Sequence, residues 1–417
     1  MNRRLERVIS VGVLLTIIGL TPSTIVTQSD SAGTKVAKAD SIATKVAKTN
    51  WAAIRGVNYV PSYGKNLHEI WRNFDRDAFD RELAMARKVG YTSVRLWLNY
   101  AAYQERGQRM IDDVETAVNL CRKHNLKALI VLFDGCGVRP RPQPQMMTVS
   151  EAYDQFLRSP RLSDKLKGIV RFNYEPYARG VGKDVLIQLS ADTSPHVLVW
   201  QNWQPSPGYD KLGKTAWPQL DRYIRAVVNR LAGNDTVLGW DIMNEPEFAS
   251  EEPFTQGMDH PDVRAIVSGF LNHVRDVIKR DHPNEIVTIG FASLANCKEY
   301  EALADVLTFH VYGEPAVMEK AIKEASDFSS ATGKPIFITE TLANFAFMPY
   351  DVEALATDDG QLKHYQKVLP TLTKSPIGWM GWGLVVGRIF NPYCDIFYAN
   401  GHPRPAAVYL EKALKQK

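Results

Sequence analysis

Glu245 and Glu340 are the two residues of this chain whose type and setting could do chemistry together. The first follows the apolar run Val237-Leu238-Gly239-Trp240-Asp241-Ile242-Met243-Asn244 and precedes Pro246; the second ends Pro335-Ile336-Phe337-Ile338-Thr339. Both runs read as buried strands, so each carboxylate stands where a strand stops. Two carboxylates so presented can divide acid and nucleophile duties across one glycosidic bond, the chemistry of a retaining glycosidase. Taken singly, each has a plainer reading: a strand-end acid bonding a helix terminus, or a surface acid in an ion pair. Only the elements that would bring the two together favour the catalytic reading over these.

Beyond Asn50, short β-branched and aromatic runs alternate with longer stretches of helical periodicity, the pattern of repeated βα units around a parallel sheet. Strands are expected at Ile54–Val60, Ser93–Leu98, Lys127–Phe133, Val237–Met243, Glu285–Phe291, Val306–Val311, Pro335–Thr339 and Ile377–Gly383. Eight is the number a closed barrel needs. Helices are expected at Asp77–Lys88, Ile111–His124, Trp217–Leu231, Val263–Lys279 and after Arg404, with Gly90, Asn125 and Gly233-Asn234-Asp235 marking ends. The expected fold class is thus α/β, a (β/α)8 TIM barrel spanning residues 51–417. The rhythm breaks once, in a proline-rich insertion of about 135–215 after the third strand, far longer than an ordinary connection. Loops after barrel strands build the active-site face, so this insertion is expected to wall the cleft.

In such a barrel the polar residues at the strand ends converge: Arg95 in the second strand, Asp134 after the third, Asn244 and Glu245 after the fourth, His310 and Tyr312 at the sixth, Glu340 after the seventh, Trp382 at the eighth. Asn244 suits a hydrogen bond to the sugar 2-hydroxyl, a contact that strengthens in an oxocarbenium-like transition state. Arg95 would hold a nearby carboxylate ionised, since a fixed guanidinium favours its charged form. Asp134 is expected to contact a sugar hydroxyl beside the nucleophile, or to pair with Arg95 or Arg139. Trp200, Trp203 and Tyr209 in the insertion would add stacking surface, or form a small core of their own.

The runs Gly56-Val57-Asn58-Tyr59, Ser93-Val94-Arg95-Leu96-Trp97, Trp240-Asp241-Ile242-Met243-Asn244-Glu245-Pro246, Phe309-His310-Val311-Tyr312, Ile338-Thr339-Glu340 and Gly381-Trp382-Gly383 resemble the strand motifs of clan A glycoside hydrolases. Within the clan the nearest group is glycoside hydrolase family 5, the cellulase-like family, and the resemblance runs from about Trp51 onward. It implies Glu245 as acid/base and Glu340 as nucleophile, His310 and Tyr312 as contacts to substrate and nucleophile, and Trp382 as the platform under the sugar next to the scissile bond. Two segments depart from the cellulase pattern. Phe133-Asp134-Gly135-Cys136 stands where those enzymes commonly carry a histidine pair, and Glu340 is followed by Thr341-Leu342-Ala343-Asn344 in place of an aromatic-glycine sequel. The sugar subsites are accordingly expected to differ from a cellulase's.

Composition narrows the partners. With 417 residues, 45% of them hydrophobic, the chain can bury a large core, and a net charge of +4 without a basic tract argues against nucleic acid. The expected partner is a β-linked carbohydrate, glucan, mannan or xylan among the choices, with endo or exo action left open. No cofactor and no metal are expected, because no His-x-His or clustered ligand set appears at the strand ends. Arg3, Arg4 and Arg7 before the apolar stretch Val8 to Leu20 read as an export signal, residues 1–28, with an uncleaved anchor as the one route to a membrane. A flexible tether over 29–50, with Thr34-Lys35-Val36-Ala37-Lys38 recurring as Thr44-Lys45-Val46-Ala47-Lys48, would lead to a monomeric, extracytoplasmic enzyme. Cys121, Cys136, Cys297 and Cys394 match no zinc spacing, and export would permit disulfides among them.

Overall fold

The computed structural model describes residues 41–415 apart from 65, 138–139, 159–174, 176–178, 181–185, 192–202, 250–256, 344–357 and 387–393. The expected export signal, the first part of the tether, Trp200, Arg139 and Asn344 lie outside the described residues. Ten strands follow in chain order: β1 (Arg55–Tyr59), β2 (Ser93–Trp97), β3 (Lys127–Val131), β4 (Pro140–Thr148), β5 (Leu186–Ala191), β6 (Val237–Asn244), β7 (Val287–Phe291), β8 (Leu307–His310), β9 (Ile336–Thr341) and β10 (Gly378–Trp382). Eight of them close a parallel barrel in the order β1, β2, β3, β6, β7, β8, β9, β10 and back to β1. These are the eight strands expected from the sequence, each within three residues at either end. β4 and β5 form a separate antiparallel pair inside the insertion.

Helices pack outside the barrel because each presents an apolar stripe. Trp217–Leu231 is the clearest, turning Leu220, Tyr223, Ile224, Val227, Val228 and Leu231 inward at helical spacing. Arg76–Val89, Gln108–Lys123, Pro261–Asp281 and Pro405–Lys415 match the other expected helices. Two long helices, Pro315–Thr332 and Asp358–Thr373, had no clear signal. The first buries only Met318, Ile322 and Ala325; the second buries Tyr365, Val368, Leu369 and Leu372 on one face, but the polar Gln361 and His364 share that face and Pro370 interrupts the helix.

The floor of the barrel has its own plug. Trp51, Ile54, Leu129, Leu238, Ile286, Val306, Phe337 and Met380 form an apolar cluster at the N-terminal strand ends, and Ile42 and Val46 pack onto it. These two belong to a short helix, Ile42–Lys48, capped by Ser41, within the stretch expected to be tether. Lys45 bonds Glu285 at 2.8 Å, and the Trp51 indole N–H donates to the Val46 carbonyl at 2.9 Å. Periodicity cannot reveal so short a helix, because its stability comes from the floor it covers and not from its own length.

Candidate active site

Arg95 is the hub. Its position at the centre of β2 turns the side chain into the lumen, where it is fully buried. All five guanidinium N–H donors are used: Nε and Nη2 donate to Asp241 Oδ2 at 3.0 and 2.6 Å, Nη1 to Asn58 Oδ1 at 3.1 Å and Glu340 Oε1 at 2.7 Å, and Nη2 also to Asn244 Oδ1 at 2.8 Å. Burial would weaken its charge, but Asp241 and Glu340 outweigh that and hold its pKa above the ordinary value. The expected pairing of Asp134 with Arg95 does not form, because these five bonds leave the guanidinium no donor to give.

The hub needs empty space beside it. A side chain on Gly290 of β7 would place its first carbon 2.4 Å from Arg95 Nη2 and 2.8 Å from Asp241 Oδ2. On Gly135 it would meet the Glu245 carbonyl at 2.6 Å. Both positions therefore admit only glycine next to the two charged strand ends. Replacing Arg95 with methionine should leave Asp241 and Glu340 buried without a counter-charge, at a cost of about 3–5 kcal/mol in urea unfolding. Lysine at the same position should recover only part of the loss, since a point charge cannot reproduce the fork.

The two glutamates meet through His310. Its Nδ1 lies 2.9 Å from Glu245 Oε1 and 3.5 Å from Glu340 Oε2, and Tyr312 donates its hydroxyl to Glu340 Oε2 at 2.7 Å. One carboxylate oxygen from each glutamate and a ring nitrogen of His310 all lie within 4.8 Å of one another. Those donors could accept a metal ion, although Arg95 bonded to Glu340 sets a fixed positive charge against one. His310 Nε2 is buried with no partner among the described residues, so the ring proton is assigned to Nδ1. Burial pushes the His310 pKa down to about 4, leaving the ring neutral at pH 7.

The surroundings of the two carboxyls differ in a way that separates them chemically. Burial, with Glu245 nearby, raises the Glu340 pKa, while the guanidinium and the phenol from which it accepts favour its ionised form and oppose that rise. Among the described residues Glu245 has no cation in contact; burial carries it up to about 7, with a contact from the Cys136 thiol opposing. It also sits at φ 41°, a left-handed conformation uncommon for a side-chain-bearing residue. Its amide donates to the Gly290 carbonyl at 2.7 Å, and Pro246 fixes the next residue. Such a position persists only where the surrounding bonds over-determine it.

Trp382 ends β10 and is 6% exposed. Trp97 and Trp203 meet it nearly edge-on, each with ring centroids 5.4 Å away, and meet one another at 5.0 Å. Trp203 comes from the insertion and packs here against the barrel's own aromatics. Tyr209 is half-buried and packs against the main core.

Arg95, Asp134, Trp203, Asn244, Glu245, His310, Tyr312, Glu340 and Trp382 come together on this one face, while Trp200 lies outside the described residues. Three others were missed. Asp241 and Asn58 both bond Arg95, and Cys136 touches Glu245. Asp241 lay in plain view as an acid inside an apolar strand, a placement that demands a buried partner. All four cysteines are buried free thiols.

Comparison with known proteins agrees with the geometry. A family model described as Cellulase (glycosyl hydrolase family 5) matches residues 176–385, half of the chain, a span that includes both glutamates. Endo-1,4-beta-xylanase B of Cellvibrio japonicus is 24% identical over 227 residues, 52% of this chain but 35% of that protein, so the chain spans about a third of that relative's length. Among solved structures, an exo-beta-1,4-mannosidase from Opitutaceae bacterium strain TAV5 aligns with a TM-score of 0.55 at 14% identity, covering 87% of this chain and 59% of that one. A GH5_18 protein from Streptomyces cattleya in complex with GlcNAc aligns at 0.53 and 15% identity, covering 88% and 81%. At such identities the structures speak for the barrel alone. Taken with the family model over half its length, they place the chain: it belongs to glycosyl hydrolase family 5.

Proposed function

We propose that this protein is an exported, monomeric, retaining β-glycosidase that cleaves a β-linked polysaccharide or its oligosaccharides by double displacement. The observation that carries the reading is the approach of Glu245 and Glu340, with oxygens within 4.8 Å and unequal surroundings. Retaining enzymes hold their carboxyls about 5–5.5 Å apart, whereas inverting ones leave about 6.5–9.5 Å for a water between them. Glu340, as the carboxylate bonded to Arg95, attacks the anomeric carbon as the bond to the leaving oxygen breaks and Glu245 gives that oxygen its proton. A water then attacks the glycosyl ester, Glu245 takes the water's proton, and Glu340 departs as a carboxylate. Asn244 contacts the 2-hydroxyl and Trp382 lies under the ring.

A β-mannoside or β-xyloside is the substrate class we favour, since a xylanase and a β-mannosidase stand among the similar proteins and the segments after Phe133 and Glu340 differ from the cellulase pattern. An exo-acting mode is a second reading, favoured by Trp203 of the insertion packing against Trp382 and closing that side of the platform. A panel of β-glucans, mannans, xylans and aryl β-glycosides tests both. The first product observed by proton NMR should be the β-anomer, and an α-anomer formed first would overturn the retaining mechanism. Exo action should release only the terminal sugar from a long oligosaccharide, while endo action should give a ladder.

A further inference from the structure

Asp134 has no place in that mechanism, yet it is the junction between the insertion and the strand that carries Glu245. Its Oδ2 accepts from the Trp203 indole N–H at 2.6 Å, and its Oδ1 from Asn244 Nδ2 at 3.0 Å and the Cys136 amide at 2.9 Å. Its backbone exchanges two hydrogen bonds with Ser206 at 2.6 and 3.0 Å, where the insertion returns, while the Asn244 amide donates to the Phe133 carbonyl at 2.9 Å. Only 2% of Asp134 is exposed, and both of its oxygens are engaged, so it has little to offer a sugar. It differs here from the substrate contact expected from sequence.

The consequence falls on Asn244. Its Oδ1 is taken by Arg95 at 2.8 Å and one of its two N–H groups by Asp134. The flipped amide would aim its N–H at the guanidinium, donor against donor, so the bond from Arg95 fixes the orientation. One N–H remains. We infer that Asp134 and Trp203 are positioning residues that lock Asn244 as a single N–H donor toward the oxygen at C2 of the sugar, so that docking of the insertion sets the strength of that contact. This rests on the reading of Asn244 as the 2-hydroxyl contact. It adds that the insertion tunes the barrel's chemistry through a chain of three side chains.

Asp134→Asn should break the chain, because an amide offers one oxygen where two separate ones are needed. On a dinitrophenyl β-glycoside kcat should fall roughly 10–100-fold with KM little changed, as for a buried polar group left without its partner. The diagnostic readout is the ratio of kcat/KM between that substrate and its 2-deoxy analogue. The parent should strongly prefer the hydroxylated sugar, and the ratio should collapse in Asp134→Asn. Trp203→Phe keeps the ring but removes the indole donor; it should shift the ratio the same way by less, and it decides the matter if Asp134→Asn does not fold. A parent ratio that is large and unchanged in the variants would overturn the chain alone. A parent ratio near unity would overturn the Asn244 contact, and the inference with it.

Discussion

Glycine in place of Glu340 is expected to lower kcat/KM by roughly 10⁴-fold or more, because the step that forms the glycosyl-enzyme loses its attacking atom. The surroundings make this loss hard to bypass. Glu340 is the carboxyl bonded to Arg95 and Tyr312, at 2.7 Å in each case, so among the described residues it alone of the two has a fixed cation in contact to favour its charged form. The vacated space should admit azide. With an activated aryl β-glycoside, azide would attack the face the carboxylate used and release an α-glycosyl azide, restoring turnover while Glu245 stays in place. An absence of glycosyl azide, together with a parent protein inactive on every glycoside, would remove the enzymatic reading and leave a carbohydrate-binding barrel.

Changing Glu245 to glutamine should cost roughly 10²–10⁴-fold on substrates with poor leaving groups. A dinitrophenolate leaves without a proton, so with it the first step should be nearly unaffected and the second slowed. Azide should then yield the β-glycosyl azide, the opposite anomer from the Glu340 variant, because it intercepts an intermediate already inverted once. The pH profile adds a separate test. Glu245 must be protonated to act as the acid, and burial carries its pKa up to about 7. The parent's kcat/KM should therefore fall as pH rises through about 7, and Glu245→Gln should lose that alkaline limb. An alkaline limb that survives the substitution would assign the proton to another group.

Much of this site is legible in the sequence, for a definite reason. A parallel barrel strand is buried on both sides, so its apolar run is long and conspicuous, and the first polar residue after it must sit at the catalytic face. That logic reached Asp134, Asn244, Glu245, Glu340 and Trp382. It worked less well for residues inside the strands. Asp241 and Asn58 look like polar interruptions of an apolar run, and no local pattern says which buried partner satisfies them. The Ile42–Lys48 helix was invisible for a similar reason, since only the apolar floor beneath Ile42 and Val46 gives it cause to fold.

The sequence by itself determined the barrel, the two glutamates and the arginine, because periodicity and strand ends are local properties. Which side chains share a face was decided only in three dimensions. Asp241 and Asn244 are three residues apart, and strict alternation along a strand would send them to opposite sides. A register shift between β6 and β7 falls between these two residues and turns both toward Arg95. Another, between β8 and β9, brings His310 beside Glu340. Such shifts arise from fitting eight tilted strands into one closed ring, a condition on the whole barrel that no single strand carries in its own residues.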